Sequence, residues 1–478
     1  MIGLETHVQI TALKSKLFCG CDANYRGKNP NTNVCPVCVG LPGSLPVLNG
    51  RALELATTLA LALECKINPR QFFFRKNYFY PDMACNFQIS QYDKAGGVPF
   101  GSGGKIVYKS GKDTFTVTLS RIHLENDPGK LVHQGSIITS PFTLVDYNRH
   151  GIALVEIVTN PDLRSPEQAR DYLNTLRNII EHCGVADLSL DGSGRTDANI
   201  SMKVDGREGA RVEVKNINSF KDVEKAIQFE IIRQRQILKS GGDVPQETRH
   251  WTGKNTVSLR VKETEEDYRY FPEPDLVPIE VSDKLVARMQ KSMPELPRPR
   301  AQRFQQQYGL SEYDGEVLVS TKSNADFFEE TAKINTNYKD VANWMMGDIA
   351  RRLNERDVSI QATKLKPKIL SEMIDAINGN TITGKVAKDF VPKLLDGEPL
   401  SKLIKGIEQL GGIIKDPKTL EPFVTGAIKT NPQVVQDYRA NPKALQALVG
   451  AVMKLTSKRA DPELTRDLLK KQLDKREQ

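Results

Sequence analysis

Four cysteines near the start of the chain have the spacing of a metal site. Cys19 and Cys21 are separated by one residue, Cys35 and Cys38 by two, and thirteen residues lie between the pairs. Two such pairs on facing turns can supply four thiolates in the tetrahedron that Zn²⁺ prefers. A four-cysteine set leaves no open position for a substrate, so the predicted zinc is structural. Two disulfides or four free thiols are the alternatives, and the absence of a secretion signal argues against disulfides.

A second group of residues combines carboxylates and imidazoles at strand positions. Glu5 and His7 are two residues apart in an alternating segment, so both point to one face of the predicted strand, and His123 and Glu125 repeat this spacing. Glu156 lies in an apolar run, where a carboxylate is costly to bury unless it is paired or binds a metal. Converging from three strands, such groups would form a Mg²⁺ site able to hold ATP phosphates. For each residue alone, a solvent-facing strand position is the alternative.

Aromatic and charged side chains are mixed in the segment 72–82. It has six aromatic residues in eleven, together with Arg75, Lys76 and Asp82. Aromatic runs usually belong to a core, but the charged residues indicate that part of this segment meets solvent or a ligand. Stacking on adenine or on an RNA end is one such use.

Several common nucleotide and hydrolase motifs are absent from the sequence. It has no P-loop, no G-x-G-x-x-G, no H-E-x-x-H and no G-x-S-x-G. The sequence is therefore not that of a P-loop NTPase.

The predicted secondary structure changes along the chain from strands to helices. Alternation and dense turns predict a strand-rich region with helices at 50–63, after Ser165 and at 222–239. Helices follow, and four residues that precede prolines are predicted N-caps: Asp416, Asn431, Asn441 and Asp461. The predicted fold class is α+β, with a strand-rich domain carrying a zinc knuckle (1–283), a helical domain (284–398) and a small all-helical tail domain (399–478).

Composition and charge narrow the class of protein. The 478 residues are 39% hydrophobic and 26% charged, as in an ordinary globular protein, and no apolar run reaches the ~18 residues of a membrane span. Residues 351–478 contain 24 basic and 16 acidic side chains, whereas 1–350 contain 43 of each. A basic appendage on a neutral body indicates a polyanion partner such as RNA. A solvated, Lys-rich helical face is the alternative.

Several strings in this order resemble the GatB/GatE family of tRNA-dependent amidotransferases, and specifically its GatB type. They are Ile2–His7, Cys35–Cys38 with Gly40–Gly43, Arg75–Asp82, Arg121–Glu125, Asp146–Arg149, Glu213–Phe220 and Asp267–Pro272. Residues 437–439 and 448–454 resemble the family's YqeY-like, tRNA-contacting tail. The chain departs from the family pattern at Asn126, Leu190 and Thr196.

The resemblance implies a carbon–nitrogen ligase that works in two steps. ATP would phosphorylate the side-chain carboxylate of misacylated Glu-tRNA(Gln) or Asp-tRNA(Asn), and ammonia would displace the phosphate. The chain lacks a Ser-Ser-Lys amidase signature, so the family's amidase component, GatA, would supply the ammonia. The small component GatC would complete a cytoplasmic GatCAB heterotrimer. No membrane partner is expected.

The resemblance also assigns residues to sites. Zinc would be held by Cys19, Cys21, Cys35 and Cys38. Mg²⁺ and catalysis fall on Glu5, His7, Glu125 and Glu156, with Lys76 as a further catalytic residue. The implied ammonia route is lined by Lys76, Glu125, Arg195 and Asp275. The predicted substrate- or nucleotide-binding residues are Tyr80, Asp82, Asp197, Asn199, Lys215 and Asn216.

Two other hypotheses compete with this one. A zinc-stabilised RNA-binding protein that has lost catalysis would hydrolyse no ATP in the presence of misacylated tRNA. A ligase acting on free amino acids would not need the basic tail.

Overall fold

The computed structural model describes residues 1–135, 140–217, 219–261, 265–409 and 413–474. The chain divides into two compact units, Met1–Leu296 and Pro297–Gln478. The first unit contains the strands and the second is helical, so the predicted α+β class is confirmed.

A ten-stranded sheet forms the centre of the first unit. Its order is β17-β16-β15-β12-β1-β11-β8-β6-β2, with β7 also paired to β8. The strands in chain order are β1 (Ile2–Gln9), β2 (Lys66–Ile67), β3 (Arg70–Gln71), β4 (Phe74–Asn77), β5 (Phe87–Ser90), β6 (Gly101–Ser102), β7 (Lys105–Ser110), β8 (Asp113–Asn126), β9 (Lys130–His133), β10 (Thr143–Asp146), β11 (Ala153–Thr159), β12 (Gly194–Ile200), β13 (Lys203–Val204), β14 (Arg207–Glu208), β15 (Val212–Ile217), β16 (Glu247–Trp251), β17 (Thr256–Val261), β18 (Phe271–Pro272) and β19 (Ile279–Glu280). The strands outside this sheet form four small ones: β9 with β10, β13 with β14, β3 with β19, and β5-β4-β18.

Side-chain alternation gives the central strands one apolar and one polar face. The buried apolar face includes Leu4 and Val8 of β1 and Val155 and Ile157 of β11. The unit's helices are α1 (Gly50–Ala62), α2 (Pro166–His182), α3 (Phe220–Lys239) and α4 (Asp283–Ser292). Of these, α2 lies against β7, and α3 lies against β12 and β15. The opposite face of the central strands carries the charged residues of the candidate site.

The starts of these helices follow from their capping residues. Ser165 accepts a hydrogen bond from Gln168 N with Pro166 at the first helical position, as the sequence predicts. Ser219 caps α3 in the same way.

The second unit is built from twelve α-helices in its described part. They are α5 (Pro297–Tyr308), α6 (Glu312–Leu318), α7 (Lys322–Ala332), α8 (Tyr338–Trp344), α9 (Ala350–Arg356), α10 (Pro367–Asn378), α11 (Gly384–Leu395), α12 (Leu400–Gln409), α13 (Pro417–Thr430), α14 (Pro432–Ala440), α15 (Leu445–Leu455) and α16 (Pro462–Asp474). A π-helical turn, Met345–Ile349, joins α8 to α9. The buried apolar residues form two clusters, one from Ala301 to Leu403 and one from Leu420 to Leu473.

All four predicted residues precede a proline at the start of a helix or 3₁₀ turn, and three of them also make a side-chain capping hydrogen bond. Asp416 accepts from Thr419 N, Asp461 accepts from Leu464 N, and Asn441 caps a short 3₁₀ turn. Asn431 makes no N-cap hydrogen bond. Because α13 ends one residue earlier, the Asn431 amide donates to Ala427 O instead and satisfies a carbonyl at that helix's C-terminus.

No helix within the described ranges is both long enough and apolar enough to span a membrane.

Candidate active site

The polar face of the sheet carries a row of ionisable residues across four neighbouring strands. His7 on β1 lies opposite Glu156 on β11 and opposite Arg195 on β12. Glu156 in turn lies opposite His123 on β8. From β12 to β8 the row is therefore Arg195, His7, Glu156 and His123. The Glu156 carboxylate lies between two imidazoles, and Arg195 is next to the His7 imidazole.

Three carboxylates surround the His7 imidazole. Its Nε2 is 3.6 Å from Glu5 Oε1, 3.6 Å from Glu125 Oε1 and 3.9 Å from Glu156 Oε1. One ligand atom each from Glu5, His7 and Glu156 lies within 4.8 Å of the others. Carboxylate oxygens with an imidazole nitrogen are a donor set that fits a divalent cation. The sequence thus predicted residues that the fold brings together.

The electrostatics of this acidic cluster also favour a cation. Burial and the neighbouring Glu156 hold the pKa of Glu5 well above its ordinary value. Burial alone would raise the pKa of Glu156 too, but a hydrogen bond from His123 and the charges of His123, His7 and Arg121 lower it well below its ordinary value. Two carboxyl groups side by side compete for the ionised form, and a bound cation relieves that competition.

Arg195 borders the cluster and is held by a buried aspartate. Its Nη1 donates to Asp127 Oδ1 at 2.8 Å, and Gln9 Nε2 donates to Asp127 Oδ2 at 2.7 Å. Asp127 is fully buried, and burial opposes ionisation, but Arg195 and Arg149 lower the pKa of its carboxyl. Sequence reasoning missed Asp127. The available signal was an acid two residues beyond Glu125, immediately after the end of the same strand.

Lys76 approaches the cluster from the small sheet. Its Nζ lies 4.7 Å from the ring centroid of Tyr268 and 5.9 Å from that of Tyr78. Burial opposes its charge, but the hydroxyls of nearby tyrosines and the Glu125 carboxylate raise the pKa of Lys76 well above its ordinary value. Ser90 Oγ donates to Glu125 Oε2 at 2.9 Å and fixes that carboxylate. Ser90 is a second residue that the sequence did not single out.

Asp275 lies apart from the other three residues of the implied ammonia route. It accepts from Arg75 Nη2 at 3.0 Å. Because Arg75 and Lys76 are adjacent on β4, their side chains leave opposite faces of the small sheet. Asp275 lines a cavity of about 270 Å³ together with Cys19 and Cys38.

The remaining predicted binding residues lie in different places in the first unit. Lys215 Nζ donates to Asp197 Oδ2 at 2.8 Å on the polar face of the sheet, and Asn199 follows on the same strand as Asp197. Tyr80 is 43% exposed, and one carboxylate oxygen of Asp82 is buried with no hydrogen-bond partner among the described residues. Asn216 lies on β15, and its side chain falls outside the described part of the chain.

The four predicted zinc ligands converge as free thiols. Their sulfur atoms all lie within 4.8 Å of one another, and Cys21 Sγ is 4.0 Å from Cys38 Sγ. Hydrogen bonding from Cys19 is the largest of the effects that lower the pKa of Cys38 to about 4. Cys35 N donates to Cys38 Sγ at 3.1 Å, and Lys16 Nζ lies 3.7 Å from the same sulfur. The cluster could hold a metal such as zinc, because its four sulfurs form a closed set of soft ligands.

Two family models match this chain, one in each of its two compact units. Residues 1–287 match the GatB/GatE catalytic domain, and residues 326–473 match the GatB domain. A protein of Sulfurisphaera tokodaii, named as the B subunit of an aspartyl/glutamyl-tRNA(Asn/Gln) amidotransferase, is 47% identical over 474 residues, which cover 98% of each chain. Relatives with the same name are 46% identical in Sulfolobus acidocaldarius, over 99% of each chain, and 44% identical in Thermotoga maritima, over 99% of this chain and 98% of the relative. The chain belongs to the GatB/GatE family.

Proposed function

We propose that this chain is the B subunit of a tRNA-dependent amidotransferase. It activates the side-chain carboxylate of misacylated Glu-tRNA(Gln), Asp-tRNA(Asn) or both with ATP, and it then amidates the activated group with ammonia. The observation that carries this proposal is the acidic cluster: Glu5, Glu125 and Glu156 surround His7 on the polar face of a sheet. Relatives that match over 98% and 99% of the chain are named as the B subunit of an aspartyl/glutamyl-tRNA(Asn/Gln) amidotransferase.

The chemistry explains why ATP is needed. Ammonia cannot displace oxide from a carboxylate, whereas an acyl phosphate offers phosphate as a leaving group. In the first step the substrate carboxylate oxygen attacks the γ-phosphorus, and the bond from that phosphorus to ADP breaks. In the second step ammonia attacks the acyl carbon, and phosphate leaves.

The acidic cluster would hold Mg²⁺ through Glu5, His7, Glu125 and Glu156. Bound there, the ion would neutralise charge on the transferring phosphoryl group.

Two cations border the cluster and can stabilise the developing negative charge. Arg195 is fixed by Asp127, so its guanidinium needs no reorganisation when substrate binds. Lys76 is held among tyrosine rings close to Glu125.

We propose that Glu125 also acts on the attacking nitrogen. An amine that adds to an acyl carbon must lose a proton, and a carboxylate within hydrogen-bond reach can accept it. Ser90 orients Glu125 for this role, and Lys76 stands beside it.

The partners follow from what the chain lacks. No amidase signature occurs in the sequence, so we propose that the amidase GatA supplies ammonia and that the small protein GatC completes a cytoplasmic heterotrimer. We propose further that residues 1–283 carry the chemistry, that 284–398 form a helical domain, and that the tail, 399–478, contacts tRNA.

The decisive experiment is a transamidation assay on both misacylated tRNAs. The purified heterotrimer receives ATP and either glutamine or ammonium chloride, and Gln-tRNA, Asn-tRNA and ADP are measured. ATP-dependent formation of amidated tRNA from either nitrogen source is expected. Tight tRNA binding without ADP or amidated product would favour the RNA-binding hypothesis, and activity on free glutamate or aspartate would favour the third.

A further inference from the structure

Tyrosines from three segments form a connected row beside Lys76. Ring centroids are 5.8 Å apart for Tyr80 and Tyr78, 6.1 Å for Tyr78 and Tyr268, and 6.0 Å for Tyr268 and Tyr270. Tyr270 stacks on Tyr92 at 4.2 Å with nearly parallel planes. We call Tyr80, Tyr78, Tyr268, Tyr270 and Tyr92 the tyrosine row.

The middle of the row lies beside Lys76, and its Tyr80 end is at the surface. The three tyrosines Tyr270, Tyr78 and Tyr268 raise the pKa of the Lys76 ammonium group, and so does Glu125. At the outer end, Tyr80 is 43% exposed and the adjacent Phe79 is 71% exposed. The Arg269 guanidinium lies 5.6 Å from the centroid of the Phe79 ring.

The outer end is held in place although it faces solvent. Asn77 Nδ2 donates to Tyr268 O at 3.2 Å and to Arg269 O at 2.8 Å, which ties this segment to β4. Arg269 has a φ of 45°, a left-handed conformation that costs a non-glycine residue energy. Such strain persists where the surrounding structure fixes it, and it concentrates at ligand sites.

Exposed aromatic rings beside a guanidinium have the chemistry of a single-stranded nucleic-acid site. Bases stack on the rings regardless of sequence, and the cation meets the phosphate between them. We infer that Phe79, Arg269 and the outer tyrosine row, Tyr80 and Tyr78, bind the unpaired 3′ end of the substrate tRNA by base stacking. This inference rests on the proposed function, because it takes the aminoacyl group to be amidated at the acidic cluster.

The order of the row matches the order of the RNA. The amino acid is esterified to the terminal adenosine, so that nucleotide must lie nearest the acidic cluster, and earlier nucleotides must lie further out. Tyr78, next to Lys76, meets the first requirement, and the exposed pair Phe79 and Tyr80 meets the second.

ATP also contains an adenine ring, so both the RNA end and ATP offer a base that can stack on these aromatic rings. Several consecutive aromatic rings that end at an exposed arginine extend beyond the single base of ATP. The structure therefore favours the RNA end, and the experiment separates the two.

The test uses the full heterotrimer and a tRNA in which the nucleotide immediately before the terminal adenosine is replaced by 2-aminopurine. Stacking quenches the fluorescence of this base, and the reading needs neither aminoacylation nor ATP. The variants are Phe79→Leu and Tyr80→Leu, with Tyr80→Phe keeping the ring and Phe142→Leu removing an exposed aromatic ring elsewhere in the first unit. KM values for misacylated tRNA and for ATP are measured in parallel.

We expect the wild type, Tyr80→Phe and Phe142→Leu to quench the probe, and both test variants to lose most of the quenching. The KM for misacylated tRNA should rise about tenfold in Phe79→Leu and Tyr80→Leu, with an unchanged KM for ATP. Unchanged quenching, or a rise in the KM for ATP instead, would overturn the assignment to the RNA end. A wild-type complex that quenches the probe but amidates no tRNA would support the row and refute the proposed function.

Discussion

Glu125 combines more of the proposed chemistry than any other single residue of the cluster. Its carboxylate lies 3.6 Å from His7 Nε2 and accepts a hydrogen bond from Ser90. It also raises the pKa of Lys76. Metal binding and proton acceptance both need its negative charge, whereas strand packing needs only its shape.

Glu125→Gln should therefore strongly reduce activity without unfolding the protein. Glutamine keeps the size and can still accept from Ser90, but the missing charge should lower the rate of amidated tRNA formation by about 10²–10³. The measurement is Gln-tRNA or Asn-tRNA formation with ammonia supplied directly. Glutamine hydrolysis should survive, because its nucleophile is expected on the amidase partner.

Glu280→Gln, on an exposed position of β19, is the matched control and should be fully active. A near wild-type rate for Glu125→Gln would make Glu125 an ordinary strand residue and refute the site assignment.

For single residues, the sequence predicted which side chains share one face of a strand better than it predicted which side chains pair with each other. Alternation alone put Glu5 and His7 on one face, and the structure sets them 3.6 Å apart. The same two-residue spacing links Asp127 to Glu125, but it could not show that Asp127 pairs with Arg195, 68 residues away in sequence. Which strands are neighbours decides such pairs, and strand order is set by the whole fold.

At the scale of elements, the cysteine loop shows how local spacing can specify a site. Cys19 and Cys21 lie on one turn and Cys35 and Cys38 on another, and their sulfurs converge without a disulfide. Four thiols this close are costly to ionise together unless a cation is bound.

Replacing both Cys35 and Cys38 by serine should release one zinc ion per chain and loosen the N-terminal segment. Metal analysis by atomic emission and limited proteolysis measure the two effects. Cys183→Ala, at a buried cysteine outside the cluster, should keep the metal. A wild-type protein without zinc would contradict the prediction.

Helix α6 offers a pH-dependent test of capping. Ser311 accepts from Asp314 N while Asp314 accepts from Ser311 N, and Lys339 also donates to Asp314. Burial alone would raise the pKa of Asp314, but Lys339 and Ser311 lower it. A carboxyl group with a lowered folded-state pKa stabilises the fold above its ordinary pKa of ~4, and the stabilisation is lost as pH falls through the folded value.

Asp314→Asn should thus destabilise the helical unit by about 1–2 kcal/mol at pH 7, and the difference from wild type should shrink in acid. Calorimetry between pH 3 and 7 measures it, with Glu330→Gln at an exposed position as the control. A deficit independent of pH would mean that shape, and not charge, is what Asp314 contributes.

Element boundaries were largely readable from capping residues, as at Ser165 and Asp416. Asn431 occupies the predicted N-cap position, but its side chain bonds to the preceding helix. An asparagine between two helices can serve the end of the first as well as the start of the second, and only the geometry of both decides. The π-helical turn at Met345–Ile349 likewise has no local sequence signal that we identified.

At the scale of the whole molecule, the positive charge is unevenly placed. Residues after Gln409 carry 13 basic and 8 acidic side chains, whereas residues 1–350 are balanced. These last helices have their own apolar cluster, which begins at Leu420, while Leu400 and Leu403 of α12 pack in the preceding one. A cut after Gln409 therefore removes the basic helices and keeps the core that α12 completes.

Removing residues after Gln409 should weaken tRNA binding and flatten its salt dependence. Each lost phosphate contact lowers the slope of log affinity against log salt by roughly 0.7–0.9, so three lost contacts would lower it by about two to three. Binding of tRNA to the heterotrimer is measured from low to moderate salt. Lys418→Gln with Lys429→Gln on α13 should reproduce part of the effect in the full chain, and Lys112→Gln, on an exposed turn of the first unit, should not. A structural defect lowers affinity at every salt concentration without changing the slope. A lower slope therefore shows that the removed residues contact phosphates. An unchanged slope after truncation would place the tRNA contacts on the rest of the chain.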